Sequence, residues 1–233
     1  MPDTVRPHDL LRPLGTVDAE LAPGLRATEI YAMEGMLGLL WHGPRDAERL
    51  VVACPGGMGG YLGPGTGLYP ALARRLAADG IATVIVDYRS PSQLEPCVLD
   101  AIVAVDLAAQ SGAGRVIALG HSFGGAVAVN VGLALPGAVV GVCTLSTQSA
   151  GCEAAAGLAP RPLLLLHGEH DEILPAETSE MVRGLAGGHG EVEILPGEGH
   201  GLVGCSDALV ERVGGWVTGV FDGVFDGTGS AEE

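Results

Sequence analysis

The sequence predicts an α/β fold, with a mostly parallel central sheet that carries helices on both faces. From residue 37 onward, short apolar runs alternate with longer segments that have helical spacing, which is the pattern of repeated strand–helix units. Several of the short runs are apolar throughout, as expected for strands covered on both faces. The chain has 233 residues and no low-complexity linker, so we expect one such domain.

The predicted elements alternate along the chain. Strands are expected at LGLLW, RLVVACPGG, IATVIVDYR, RVIALG, AVVGVCTLS, RPLLLLHGEHD and EVEILPGEGH, the longer segments including the loops that follow. Helices are expected at LYPALARRLAADG, LEPCVLDAIVAVDLAAQSG, SFGGAVAVNVGLAL, AETSEMVRGLAGG and SDALVERVGGWVTGVF. Residues 37–225 are predicted to form the main domain. Residues 1–36 are expected to be an N-terminal extension in which LRATEIYAMEGMLGLLW begins an antiparallel hairpin at the sheet edge, and residues 226–233 a disordered tail.

Charge and composition exclude several classes of function. The net charge is −16 and every basic side chain apart from histidine is an arginine. Without lysine the chain has no Schiff-base residue, no pyridoxal phosphate anchor and no P-loop lysine. An acidic surface repels nucleic acid, so no nucleic-acid partner is expected.

Location and redox state are predicted from what the sequence lacks. No apolar run approaches the length of a membrane span, and no signal peptide is visible, so we expect a cytoplasmic protein that does not bind membranes. The five cysteines are scattered and never form a C-x-x-C pair, which favours reduced thiols over disulfides or a zinc site.

The segment GHSFGG contains a candidate nucleophile, Ser122, between a predicted strand and a predicted helix. With 38 glycines in the chain, the pattern G-x-S-x-G alone arises readily by chance. Its position is more specific, because a strand–turn–helix elbow crowds the backbone and requires small neighbours. The helix N-terminus behind the serine offers N–H groups for an oxyanion. A serine that merely caps the helix would not need Gly120, Gly124 and Gly125 around it.

Two further candidates follow later strands. Asp171 comes just after the buried run PLLLL, where a carboxylate can fix the tautomer of an imidazole. Glu172 is the alternative acid. His200 lies in a glycine-rich loop after the last predicted strand and can exchange a proton with a serine. In parallel sheets, the carboxyl ends of the strands open into one crevice, which would bring these groups together.

The glycine-rich turn CPGGMGGY is the fourth candidate element, because backbone N–H groups can face a substrate oxygen there without obstruction. The expected oxyanion donors are the backbone N–H of Phe123 and that of either Gly57 or Met58.

The order serine elbow, acid and histidine, each after its own strand, resembles the α/β-hydrolase family across about residues 37–221. The segments GHSFGG, HGEHDEILP and GEGHG together carry the resemblance. It implies that Ser122 is the nucleophile, His200 the general base and acid, and Asp171 the orienting carboxylate. The stretch TQSAGCEAAAGLAPR is too short for a helical cap, so the chain is expected to be lidless. It is most similar to the small dienelactone-hydrolase-like and carboxylesterase branches, although dienelactone hydrolases use cysteine as nucleophile.

Two other motifs could suggest a dinucleotide site or a metal site, and we expect neither. GHGLVG fits G-x-G-x-x-G, but too little chain remains for the ribose-binding acid of a dinucleotide site. His167, His170 and Asp171 form an H-x-x-H-D cluster on a strand end and loop, where this spacing does not put both rings on one side.

The expected activity is hydrolysis of a small-molecule carboxylic ester or thioester. A non-hydrolytic use of the same residues (acyl transfer, cyclisation or elimination) and a non-catalytic ligand-binding role are the alternatives. The sequence gives no indication of the oligomeric state.

Overall fold

The computed structural model describes residues 5–225, which form a single nine-stranded sheet flanked by helices. The strands are β1 (Pro13–Ala22), β2 (Leu25–Ala32), β3 (Gly35–His42), β4 (Arg49–Cys54), β5 (Ala82–Asp87), β6 (Arg115–His121), β7 (Val139–Leu145), β8 (Leu163–Gly168) and β9 (Glu191–Leu195). The helices are α1 (Pro7–Leu10), α2 (Leu68–Ala77), α3 (Leu94–Ala109), α4 (Phe123–Ala134), α5 (Glu177–Leu185) and α6 (Ser206–Asp222).

The sheet has the spatial order β1-β2-β3-β5-β4-β6-β7-β8-β9. All pairs from β5 to β9 are parallel, whereas β1, β2 and β3 form an antiparallel meander that joins the sheet through β3 and β5. The predicted fold class, a mostly parallel sheet with helices on both faces, is confirmed.

The two faces of the sheet carry separate hydrophobic clusters. One cluster contains apolar side chains of α3, α4 and α5, and the other contains those of α2 and α6. The central strands contribute to both clusters in alternation, as Val52 and Val51 do in β4. This two-sided burial explains why β4, β7 and β8 are apolar along their length rather than alternating.

The N-terminal meander extends the edge of the sheet beyond the predicted hairpin. Strand β2 pairs with β3 from Leu25 to Ala32, and β1 pairs with β2 on its other side. The outer strand β1 is exposed along almost all of its length. The boundary at residue 37 between an extension and a main domain stays a prediction, and the predicted disordered tail, 226–233, lies outside the described residues.

The connection between β7 and β8 contains only a short 3-10 helix, Ala155–Leu158. No large cap domain covers the sheet within residues 5–225, in agreement with the lidless prediction. The loops after β4, β6, β8 and β9 therefore meet at the carboxyl edge of the sheet without a covering domain.

Candidate active site

Ser122 occupies the sharp turn between β6 and α4. Its backbone dihedrals are φ 55° and ψ −121°, a region that residues other than glycine rarely adopt. The Ser122 N–H donates to the carbonyl oxygen of Leu145 at the end of β7, 2.8 Å away. The strained residue is therefore held by the neighbouring strand, and it ends β6 with the abrupt change of direction expected of a nucleophile elbow.

The glycines around Ser122 are required by close backbone approach. A Cβ added to Gly120 would overlap the carbonyl group of Gly124 in the next helix. A Cβ added to Gly124 would overlap the carbonyl oxygens of Cys54 and Pro55. The motif is thus explained by packing of the elbow against the end of β4, and the abundance of glycine in the chain does not account for it.

Asp171 and His200 are brought together from the loops after β8 and β9. Oδ2 of Asp171 lies 2.8 Å from Nδ1 of His200. Oδ1 of the same carboxylate accepts the backbone N–H of Ile173 at 2.9 Å and that of Leu174 at 2.8 Å. Burial alone would raise the pKa of Asp171, but the hydrogen bonds from Leu174, His200 and Ile173 outweigh burial and lower it. The carboxylate is therefore ionised at neutral pH and acts as an acceptor.

Two neighbouring glutamates bind backbone and not the His200 ring. Glu172, the alternative acid, accepts the backbone N–H of His200 through Oε2 at 3.3 Å. Glu169 accepts the N–H of Gly197 at 2.9 Å. The hydrogen bond to the imidazole is made by Asp171 alone of these three carboxylates.

His121, which the sequence analysis did not single out, joins the elbow to the loop of His200. Its Nε2 lies 3.0 Å from the backbone oxygen of His200, and the centres of the two rings are 4.9 Å apart. Burial lowers the pKa of His121 to about 4, so the ring is neutral at pH 7. Because a carbonyl only accepts, Nε2 carries the proton. The described hydrogen bonds thus join Asp171 to His200 directly, whereas Ser122 is connected to His200 through its chain neighbour His121.

The candidate oxyanion loop is held in place by side chains from three elements. Tyr69 donates to the carbonyl oxygen of Cys54 at 2.9 Å. Ser92 donates to the carbonyl oxygen of Gly57 at 2.8 Å, and Asp87 accepts the N–H of Gly60 at 3.0 Å. These contacts fix the backbone direction of the turn, as a set of preorganised donors requires.

Residue 57 lies beside the nucleophile elbow. A Cβ added to Gly57 would lie 3.8 Å from Cβ of Phe123, and the Met58 residue is 96% exposed. Phe123 is the first residue of α4, where helix N–H groups have no intrahelical acceptor.

The H-x-x-H-D cluster separates into a buried and an exposed part. The side chain of His167 is fully buried, whereas that of His170 is 69% exposed. Within residues 5–225, no group of three or more His, Cys, Asp or Glu side chains has the geometry of a metal site.

All five cysteines are free thiols. Burial is the main cause that raises the pKa of Cys54, Cys97, Cys143 and Cys152 to about 12. A thiol in this state is protonated at neutral pH and is a poor nucleophile.

In the described part of the chain, no helix has both the length and the apolar character that crossing a bilayer requires.

One protein-family model matches the middle of the chain. A family model described as phospholipase/carboxylesterase matches residues 97–204, a stretch that contains Ser122, Asp171 and His200. A comparison with curated protein sequences gives no match.

Solved structures share the fold at low sequence identity. Est1E from Butyrivibrio proteoclasticus has a TM-score of 0.73 at 16% identity, covering 84% of this chain and 99% of its own. An alpha-beta serine hydrolase homologue from Coxiella burnetii has a TM-score of 0.66 at 19% identity, covering 80% and 94%. Dienelactone hydrolase from Anabaena variabilis has a TM-score of 0.64 at 18% identity, covering 83% and 96%.

Proposed function

We propose that this chain, which has the α/β-hydrolase fold, hydrolyses a carboxylic ester or thioester of a small molecule through an acyl-enzyme on Ser122. The observation that carries the proposal is the 2.8 Å hydrogen bond between Asp171 and His200, together with the strained elbow of Ser122 at the end of a neighbouring parallel strand. A buried acid bound to the imidazole of the base is the arrangement that activates a hydroxyl nucleophile.

The positions of the ring protons assign a role to each nitrogen of His200. Because ionised Asp171 only accepts, Nδ1 carries the proton that points toward it, and Nε2 keeps its lone pair. Nε2 takes the proton of the Ser122 hydroxyl as Oγ attacks the substrate carbonyl, and the imidazolium then gives that proton to the leaving oxygen or sulfur. Water repeats the sequence on the acyl-enzyme, which releases the acid and restores the serine.

The negative oxygen of the tetrahedral intermediate needs donors that are already in position. The N–H of Phe123, at the N-terminus of α4, and the N–H of Gly57 are the proposed pair, with Met58 as the alternative to Gly57. The closeness of Gly57 to Phe123 favours Gly57, whereas the hydrogen bond from Ser92 to the Gly57 carbonyl fixes the peptide unit that carries the Met58 N–H. Removing one such donor typically costs about 10²–10³ in kcat.

The substrate class is inferred from the uncovered carboxyl edge of the sheet. The absence of a large cap over residues 5–225 favours substrates whose leaving group extends into solvent. A second solved structure of Est1E, with a TM-score of 0.69 and 15% identity, has ferulic acid bound. Aryl-acid esters such as methyl ferulate therefore belong in the first panel, with short-chain p-nitrophenyl esters and acyl thioesters.

The experiment compares the wild-type chain with S122A and S111A across that panel. Ser111 is an exposed serine in the turn after α3, so S111A is the matched control. S122A is expected to lose nearly all turnover, with about 10³-fold residual catalysis over water from the oxyanion donors, and S111A to keep the wild-type rate. Wild-type rates in S122A on every ester that the enzyme cleaves would refute the proposal.

Hydrolysis is separated from acyl transfer by the source of the new oxygen atom. In ¹⁸O-labelled water, hydrolysis places one labelled oxygen in the released acid. Release of the acyl group as an unlabelled cyclic or transferred product would show that the same residues serve a non-hydrolytic reaction.

A further inference from the structure

We propose that His167 is a positioning residue for Asp171, and that the pair His167–Ser179 holds the loop of the acid in the geometry that His200 requires. This inference rests on the proposed function of Asp171 and assigns a role to a buried titratable group that the mechanism itself does not use.

His167 lies near the end of β8 with no exposed side-chain surface, and both of its ring nitrogens have partners. Nδ1 is 2.7 Å from Oγ of Ser179 in α5. Nε2 is 3.0 Å from the carbonyl oxygen of Leu174 and 3.1 Å from Oδ2 of Asp171. The ring therefore connects β8, α5 and the acid loop in a region without solvent.

The partners determine the tautomer of His167. The Leu174 carbonyl oxygen only accepts and ionised Asp171 only accepts, so Nε2 carries the proton. When Nε2 carries the single ring proton, Nδ1 accepts a hydrogen bond from the hydroxyl of Ser179. Both nitrogens of the buried ring are then satisfied, and the positive end of the N–H lies beside the carboxylate.

The loop from Asp171 to Leu174 is held by hydrogen bonds to both the N–H and the carbonyl of Leu174. Oδ1 of Asp171 accepts the N–H of Leu174, and the carbonyl of the same Leu174 accepts the N–H of His167. Apart from the His167 contact, Oδ2 is held by His200, the group that it has to orient. His167 thus gives the carboxylate a contact that does not depend on His200.

The charged and titratable side chains that surround His167 are few. Oδ2 of Asp171 lies beside Nε2 of His167, and the same oxygen contacts Nδ1 of His200. His121 lies on the other side of His200 and carries no charge at neutral pH. A loss of activity on changing His167 is therefore expected to act through Asp171 and His200, and to change the pH dependence of kcat/KM.

The test uses H167L, which removes the polar contacts of both ring nitrogens, and H167Q, whose amide reaches about as far as Nε2 and keeps a donor. In H167L, kcat is expected to fall roughly 10- to 100-fold while KM changes little, because a misplaced carboxylate weakens the transition state more than substrate binding. A carboxylate no longer aimed at Nδ1 stabilises the imidazolium less. Since His200 must be neutral to act, the acid limb of kcat/KM is expected to move to lower pH. H167Q is expected to recover most of the rate and the wild-type limb.

H170L is the matched control, because His170 is three residues away in the same segment and largely exposed. It is expected to keep the wild-type kcat and acid limb. If H167L does not fold, S179A decides the question: loss of the hydroxyl that fixes the tautomer is expected to move the acid limb in the same direction, and an unchanged limb overturns the inference.

A second readout does not depend on turnover. The Nδ1 proton of His200 in its hydrogen bond to Asp171 is expected to give a downfield NMR resonance that is absent in H200A. We expect this resonance to move upfield or broaden in H167L and to be unchanged in H170L. If the wild-type chain cleaves no ester but the resonance responds to H167L, the proposed function falls and the positioning role stands. If neither the resonance nor the acid limb responds in folded H167L, the positioning role is wrong.

Discussion

Oδ2 of Asp171 and Nδ1 of His200 lie 2.8 Å apart, although the two residues are 29 positions apart in the chain. The contact is possible because β8 and β9 are parallel neighbours, so the loops that follow them start at the same edge of the sheet. Strand β6 delivers Ser122 to that edge two positions further along the sheet. The order of the strands, rather than closeness in sequence, therefore assembles the candidate site.

The elbow glycine Gly124 is expected to be intolerant of even one methyl group. In G124A the new Cβ overlaps the carbonyl oxygens of Cys54 and Pro55, so the elbow and the end of β4 have to separate. We expect a loss of about 2 kcal/mol or more in the free energy of unfolding, measured by urea denaturation. The matched control is G184A in α5, where a Cβ meets nothing within 4 Å. Equal stability of the two variants would show that the elbow is not tightly packed.

His121 is expected to make stability depend on pH below neutrality. Burial lowers its folded pKa to about 4 from an ordinary value of 6.5, so the unfolded chain binds a proton that the folded chain does not over this interval. Stability is therefore highest above pH 6.5 and falls as the pH decreases toward 4, by up to about 3 kcal/mol. H121Q keeps a donor for the His200 carbonyl and removes the titration. Urea midpoints measured from pH 7 to pH 4 are expected to fall less steeply for H121Q, and parallel curves would contradict the assignment.

The buried cysteines are expected to take no part in catalysis. The thiols of Cys54, Cys97, Cys143 and Cys152 have pKa values raised to about 12, mainly by burial, and alkylation requires a thiolate. Iodoacetamide at pH 8 is therefore expected to modify only the partly exposed Cys205 in the native chain and to leave ester hydrolysis unchanged. C205S is the control and is expected to take up no reagent. Inactivation of C205S by iodoacetamide would instead implicate a buried cysteine.

The central part of the fold was predictable because the spacing of its apolar residues differs between buried strands and helices. Segments such as RVIALG and PLLLL are buried on both faces, and their composition reflects this burial directly. Strand β1 gives no such signal, because it is exposed along almost its whole length and its structure depends on pairing with β2. The periodicity of apolar residues reflects burial, so an exposed edge strand is hard to predict from it.

The same reasoning explains which site residues were missed. Ser122 stands in a local motif, and Asp171 and His200 follow strands in a fixed order, so each has a signal in the sequence. His121 binds the backbone carbonyl of His200, 79 positions away, and no spacing in the sequence reports such a contact. His167, which the sequence offered only as a possible metal ligand, binds the carbonyl of Leu174 in the loop that follows its own strand. Ser92 likewise reaches Gly57 from 35 positions away. Residues that support a site through backbone contacts become visible only in three dimensions.

The most direct test of the account is covalent labelling of Ser122. A fluorophosphonate probe phosphonylates a serine only when a base removes its proton and oxyanion donors stabilise the addition. Intact-mass spectrometry of the wild-type chain is expected to show one adduct, located on Ser122 by peptide mapping, with no adduct in S122A and normal labelling in S111A. A folded wild-type chain that takes up no probe, or that is labelled equally in S122A, would contradict the claim that Ser122 is an activated nucleophile.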